Sequence, residues 1–312
     1  MDSVDLSMSV DWLQEINMLP YLIDLSLESC GLRDANLPLP SYFNLSRSLL
    51  SLNLSSNTLS PSIFSWLPNI STNLLVLQLR SCDMRGPKPD AFWNMTSLLH
   101  FDLSSNLFEG GIPKSIGNLC SLQRLDLTFN SLTQPLTDLT QNLFANCSAD
   151  TLEFLNLGYN RFGGPLPDFT RFLFLNELNF NYNQLNGSSY GHPPNRHLPN
   201  LLILSLEGNR LNGNLIDSIG HLPNLEFLDV SSNKFEGVVS DLSIFSKLQY
   251  LDLSFNYLAM NLSSNWVPPF QLKTIILSSC KLGPQFPNWL QWQKKVSWLD
   301  ISDNEISDFI PS

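Results

Sequence analysis

Leu122-Gln123-Arg124-Leu125-Asp126-Leu127-Thr128-Phe129-Asn130-Ser131-Leu132 is the stretch from which the rest of the chain can be read. Apolar residues stand at its first, fourth, sixth and eleventh positions, and an asparagine at its ninth. Leu248-Gln249-Tyr250-Leu251-Asp252-Leu253-Ser254-Phe255-Asn256-Tyr257-Leu258 has the same pattern. Copies start at 22, 49, 74, 98, 122, 152, 175, 201, 225, 248, 272 and 296, a mean step of about 25 residues. Val4-Asp5-Leu6 reads as the tail of one more copy. A fixed period of this size marks units that cannot bury their own apolar face and stack to do so.

Within each copy the run x-L-x-L-x alternates, so it reads as a short strand with its leucines pointing inward. Stacked turns join these leucines into one column, and each fully buried leucine contributes about 1.5–3 kcal/mol. This is the leucine-rich-repeat signature. It predicts an α/β-type leucine-rich-repeat solenoid, a curved right-handed superhelix. A parallel β-sheet should line the concave face, with a mostly irregular or 3-10 convex side. Residues 1–312 are expected to form a single domain of about twelve repeats, with a partial one at 1–8 and both caps missing.

The ninth position holds Asn57, Asn106, Asn130, Asn160, Asn183, Asn209, Asn233, Asn256 and Asn304, and Cys30, Cys82 and Cys280 in the other copies. A buried asparagine there can bond the backbone of its own turn and of the next. A cysteine fits the slot as a small residue with a weak donor. These three cysteines are therefore read as structural, not as metal ligands or redox thiols. After the bend come Gly110-Gly111-Ile112-Pro113 and Gly163-Gly164-Pro165-Leu166-Pro167. Glycine permits positive φ, and proline disfavours regular helix.

Composition excludes other classes. The chain has 28 acidic and 17 basic residues, net charge −11, which argues against nucleic acid as a partner. Only 14% of residues are charged, while hydrophobic residues at 43% allow a large core. No apolar run reaches the ~18 residues of a membrane span. Met1-Asp2-Ser3-Val4-Asp5-Leu6 is not a secretory leader. Hydrolase, phosphate-loop, dinucleotide and paired-cysteine motifs are absent from the sequence. The loop bearing His192 and His197 offers too few ligands for a metal. The expectation is a protein without enzymatic activity, cofactor or metal.

Several stretches make a narrower match. Asp11-Trp12-Leu13-Gln14, Ile16-Asn17-Met18-Leu19-Pro20, Asn118-Leu119-Cys120-Ser121-Leu122, Trp266-Val267-Pro268-Pro269-Phe270-Gln271-Leu272 and Ser279-Cys280-Lys281-Leu282-Gly283-Pro284 resemble plant receptor-like proteins. These are related to the receptors for fungal ethylene-inducing xylanase. The G-x-I-P repeats are similar to the plant extracellular class. The resemblance implies part of a receptor ectodomain on the extracellular side of the plasma membrane. The family also has a signal peptide, caps, one transmembrane helix and a tail without a kinase. It implies binding of a microbial or peptide ligand and recruitment of a kinase-bearing co-receptor, in defence or peptide signalling. Alternatives are a polygalacturonase-inhibitor-like protein and the ectodomain of a leucine-rich-repeat receptor kinase.

The candidate binding residues lie at outward strand positions. Phe154, Phe227, Tyr250 and Trp298 occupy the third position, and Phe129, Tyr159, Tyr182 and Phe255 the eighth, with Glu153 and Glu177 among them. Large rings at this density on a surface mark an interaction site or shield neighbouring turns. Asp102, Asp126, Asp229, Asp252 and Asp300, at the fifth position, are expected in water on the concave face. Glycosylation acceptors are Asn44, Asn69, Asn94, Asn146, Asn186 and Asn261, with Asn53 ranked last because it sits outward on a strand. Cys120 and Cys147 precede consecutive copies, where they form a disulfide or remain two separate thiols. The step from 122 to 152 is 30 residues, and the surplus in 134–150 is expected to bulge outward.

Overall fold

The computed structural model describes residues 3–9, 11–33, 48–60, 63, 73–87, 95–187, 198–219, 222–263 and 265–309. The chain forms two compact units, Met1–Gln134 with Asp138–Arg161, and Pro135–Thr137 with Phe162–Ser312. In the first, the strands are Asp24–Ser26, Ser51–Asn53, Val76–Gln78, His100–Asp102, Arg124–Asp126 and Phe154–Asn156. They pair in chain order, all parallel. In the second, Glu177–Asn179, Ile203–Ser205, Phe227–Asp229, Tyr250–Asp252, Thr274–Ile276 and Trp298–Asp300 do the same. Within each unit the third position of a turn is in register with the third position of the next, so outward side chains form rows across the strands.

Inward residues build the core as the alternation requires. Leu125, Leu127, Leu155, Leu228, Leu251 and Leu253 are wholly buried. The twelfth turn is less covered: Leu299 remains 44% exposed. Each strand is followed by a sharp bend, and at the eighth position every turn takes the left-handed conformation. The residues are Ser29, Ser56, Ser81, Ser105, Phe129, Tyr159, Tyr182, Gly208, Ser232, Phe255, Ser279 and Asp303, with φ between 50° and 67°. Eleven of these carry a side chain, where left-handed backbone costs roughly 1–2 kcal/mol.

The ninth-position asparagine holds this bend. Asn106 Nδ2 donates to the carbonyls of Leu103 and Ser104 in its own turn and of Leu79 in the preceding one, at 2.8–3.1 Å. Its Oδ1 accepts from the Cys82 and Met84 amides at 3.1 Å. Asn233 and Asn256 repeat the three donations in the second unit. In two cysteine turns the thiol faces the preceding turn as the amide does, Cys82 Sγ lying 3.3 Å from the Leu54 carbonyl and Cys280 Sγ 3.3 Å from that of Leu253, and each also faces a carbonyl of its own turn, Arg80 and Ser278. Burial pushes both thiols up to about 12, which suppresses the reactive thiolate.

Beyond the bend the chain is more regular than the sequence reading expects. Short parallel strands follow the ninth position: Arg85–Pro87, Leu107–Gly110 and Ser131–Leu132 in the first unit, and five from Gly163–Gly164 to Tyr257–Met260 in the second. The 134–150 surplus is ordered. It forms the helix Leu136–Phe144 and a 3-10 turn at Ser148–Asp150. Leu136, Leu139 and Leu143 are fully buried, because their spacing places them on one helical face. No helix among the described residues is long and apolar enough to cross a membrane.

Candidate functional site

The outward rows of the strands are where the two units diverge. In the first unit, Arg124 and Phe154 are lateral neighbours in register. The Arg124 guanidinium lies 4.0 Å from the Phe154 ring centroid. Phe154, offered by the sequence as an exposed ring, is therefore only 9% exposed. Glu153 is half-buried beside it, and its charge and that of Arg124 act in opposite directions on His100. Burial and Arg124 together hold the His100 imidazole below its usual range. At the eighth position, Phe129 and Tyr159 stack with centroids 4.1 Å apart and planes 11° apart, their outer surfaces exposed.

In the second unit the third-position row runs Glu177, Ile203, Phe227, Tyr250, Thr274, Trp298. Phe227 and Tyr250 stack at 4.0 Å with planes 12° apart, and both are half-buried. Thr274 separates them from Trp298, which is 62% exposed, so the predicted stripe is a ring pair plus a lone tryptophan. Tyr182 lies against Gly208 of the next turn, where an added Cβ would sit 2.7 Å from the ring, and its hydroxyl donates to the Glu207 carboxylate. Its inner face thus shields backbone while its outer face is open. Phe255 is well exposed, and Glu177 is half-buried.

The fifth-position aspartates differ from expectation. Each carboxylate turns back on its own chain and accepts the amide N–H two residues on. For Asp102, Asp126, Asp229, Asp252 and Asp300 these distances are 2.8–3.0 Å. Asp126, Asp229, Asp252 and Asp300 also accept from the hydroxyl of the same Ser or Thr, at 2.6–2.7 Å. Asp229 and Asp252 are buried, not solvated. Burial raises Asp229 to about 6, its hydrogen bonds with Ser231 oppose this, and Asp252 and Glu207 raise it further. Burial also raises Asp252 and Asp126. The signal for this role was in the sequence: Asn53, Asn156 and Asn179 occupy the same position and accept the same bond at 3.0–3.3 Å.

Asp229 and Asp252 belong with Phe227 and Tyr250 as parts of one site. Burial, then Asp229, Asp252 and Glu207, push the Tyr250 hydroxyl up to about 12. Sequence reasoning missed this grouping, because it assigned the aspartates to bulk water. Glu226 accepts from Gln249 Nε2 at 2.8 Å on the adjoining row. Among the described residues no cluster of His, Cys, Asp and Glu is suited to a metal ion.

Away from this face, Cys120 and Cys147 are joined in a disulfide with Cα atoms 4.8 Å apart. Asn146, Asn186 and Asn261 are exposed. Asn53 is engaged on both sides, by the Ser55 amide and by the Glu28 carboxylate at 3.0 Å. Asn44, Asn69 and Asn94 lie outside the described residues.

Leucine-rich-repeat family models match residues 72–132, 151–173 and 200–222. The chain is 35% identical to Receptor-like protein EIX2 of Solanum lycopersicum and 37% identical to Receptor-like protein EIX1 of the same plant, each over 97% of its length. It spans about a third of either relative, 34% in both cases. Among solved structures it is similar to the Arabidopsis receptor kinase HAESA, crystallised with the peptide hormone IDA and the co-receptor SERK1. The TM-score is 0.69 at 27% identity, over 96% of this chain and 52% of that one. The ectodomain of the Arabidopsis receptor kinase GASSHO1/SCHENGEN3, in complex with CASPARIAN STRIP INTEGRITY FACTOR 2, matches with a TM-score of 0.65 at 27% identity. That match covers 91% of this chain and 33% of that one.

Proposed function

Because this chain belongs to the leucine-rich-repeat receptor-like proteins of plants, we propose that it is a ligand-recognition part of a cell-surface receptor. It binds a protein or peptide on the outward face of its strands, outside the cell, in defence or peptide signalling. It acts by binding, not by catalysis. A kinase-bearing co-receptor completes the signal, as SERK1 accompanies HAESA and its peptide hormone.

The observation that supports this reading most directly is the pair Phe227–Tyr250. Leucines and asparagines already satisfy the core and the bends. The outer surfaces of these rings serve neither, and rings grouped on a surface concentrate binding energy. The stacked ring pair costs little conformational entropy to present, since each ring already braces the other.

The test is a binding screen with the purified 312-residue chain against fungal culture proteins and plant extracellular peptides. A specific partner should bind, and Phe227→Ala with Tyr250→Ala should weaken it about thirtyfold or more while the urea midpoint shifts little. A partner held equally well by the double variant would place recognition elsewhere.

A further inference from the structure

The first unit shows how an outward ring in this fold is closed by a cation, and the second unit lacks that closure. Arg124 lies over Phe154 from the neighbouring strand, and at Asp126 Arg80 partly offsets the like charge of Asp102. In the second unit the equivalent lateral neighbours, Phe227 and Tyr250, are both rings. The charged groups that act on Asp229, Asp252 and Tyr250 are all carboxylates, Glu207 and Asp300 among them. Counted over the second, third, fifth and seventh positions of its six turns, this face holds six carboxylates: Glu177, Glu207, Glu226, Asp229, Asp252 and Asp300. Lys273 is the one cation at those positions.

The fold does not require that charge. At the fifth position the bend needs only an oxygen to accept one amide. Asn53, Asn156 and Asn179 supply it in other turns, with the same bond. Aspartate at 229 and 252 therefore adds negative charge beside two rings where a neutral amide would hold the turn equally well. Glu207, Asp229 and Asp252 repel one another there, and a positive group placed over the rings would relieve all three.

We propose that the face formed by Phe227, Tyr250, Glu207, Asp229 and Asp252 binds a cationic segment of the partner. That segment is an extended stretch of peptide or protein presenting arginine or lysine. Its side chain takes the place over the stacked rings that Arg124 takes over Phe154, within the ~6 Å at which a cation is attracted to a ring face. The carboxylates steer it in and select against acidic competitors. This inference rests on the recognition role given above and adds the chemistry of what is recognised.

The probe is an end-capped octapeptide of alternating glycine and arginine, titrated calorimetrically into the 312-residue chain at 0.15 M salt. The variant Glu207→Gln/Asp229→Asn/Asp252→Asn removes three charges from the proposed face and keeps every bend acceptor. The variant Glu28→Gln/Asp102→Asn/Asp126→Asn removes the same three charges from the first unit. The octapeptide should bind the parent and the first-unit variant alike, and the second-unit variant at least tenfold more weakly. Phe227→Leu/Tyr250→Leu, which leaves the charge unchanged, should also weaken it severalfold. Absence of binding to the parent chain, or equal losses in both triple variants, overturns the proposal, since equal losses mean that net charge alone attracts the peptide. A natural partner that needs the rings but ignores the second-unit triple variant overturns the cationic chemistry and leaves the recognition role standing.

Discussion

The two units build the same turn and finish its outer surface in opposite ways. In the first, Arg124 covers Phe154, and Arg80 partly offsets the effect of burial and Asp102 on Asp126. In the second, Phe227 meets Tyr250, and Asp229 meets Asp252 and Glu207. Like is set beside like, and the surface is left with unbalanced charge and open ring faces. The backbone bonds of both units are the same. What differs is the side chain at one outward position and its neighbour in the next turn, which is enough to cover one third-position ring with a cation and to leave the Phe227–Tyr250 pair without one.

Four sets of substitutions probe that comparison. The largest effect should be common to both units. Asn106→Ala and Asn233→Ala each remove a side chain that donates to three buried carbonyls. Each should lower unfolding free energy by on the order of 3 kcal/mol, by urea titration. A large difference between the two would mean that the units do not share one ladder.

The next effect should have the opposite sign and belong to the second unit. Burial raises the Asp229 carboxyl to about 6 in the fold, above its ordinary value of 3.8. Between these values the native state binds the proton and the unfolded chain does not. Stability therefore falls as pH rises through the window, and the full cost stands above it. Asp229→Asn keeps the acceptor and removes the charge. It should stabilise the chain at pH 7 by about 1–3 kcal/mol and flatten the stability profile between pH 4 and 6. Asp126→Asn should gain less, since Arg80 partly offsets the burial and the Asp102 charge that raise that carboxyl, whereas the charged groups that act on Asp229 are carboxylates. Equal gains would erase the distinction drawn between the faces.

Gly208→Ala should cost about 1–2 kcal/mol, because the position has φ +67° and the new methyl displaces the Tyr182 ring. Circular dichroism melts of this variant should return toward the parent when Tyr182→Ala is added, as the ring is then no longer in the way. The smallest effect tests the first unit's closure. Arg124→Gln should cost about 0.5–1 kcal/mol in urea titrations as Phe154 loses its cation. No loss at all would mean that the guanidinium covers the ring without holding it.

The repeat, its strands and its asparagine bends were legible because each depends on spacing along the chain. Twelve copies of one pattern leave little freedom in where leucine and asparagine can go. The cysteine exchange at 30, 82 and 280 was legible for the same reason. The covering of Phe154, the pairing of Phe227 with Tyr250, and the separation of Trp298 were not. Each depends on which residue lies alongside in the next turn, and position on a strand does not fix that contact. The aspartates were misplaced because an outward position was equated with water, although a short side chain there can reach its own backbone. Comparing Asp229 with Asn179 would have revealed the shared bond. The helix Leu136–Phe144 was missed although its leucines recur at helical spacing, because the repeat frame assigned those residues to an insertion.

The left-handed residue before each asparagine has a consequence for how such a chain can change. Serine, phenylalanine, tyrosine, glycine and aspartate all occupy it with nearly the same backbone angle. The conformation there is imposed by the asparagine or cysteine that follows, not by the residue that adopts it. Every turn therefore offers one outward site that several residue types fill at a similar backbone angle, constrained chiefly by its neighbour in the next turn, as Tyr182 is by Gly208. A lineage could alter what this surface meets one turn at a time, as long as each new side chain fits against the same position of the next turn.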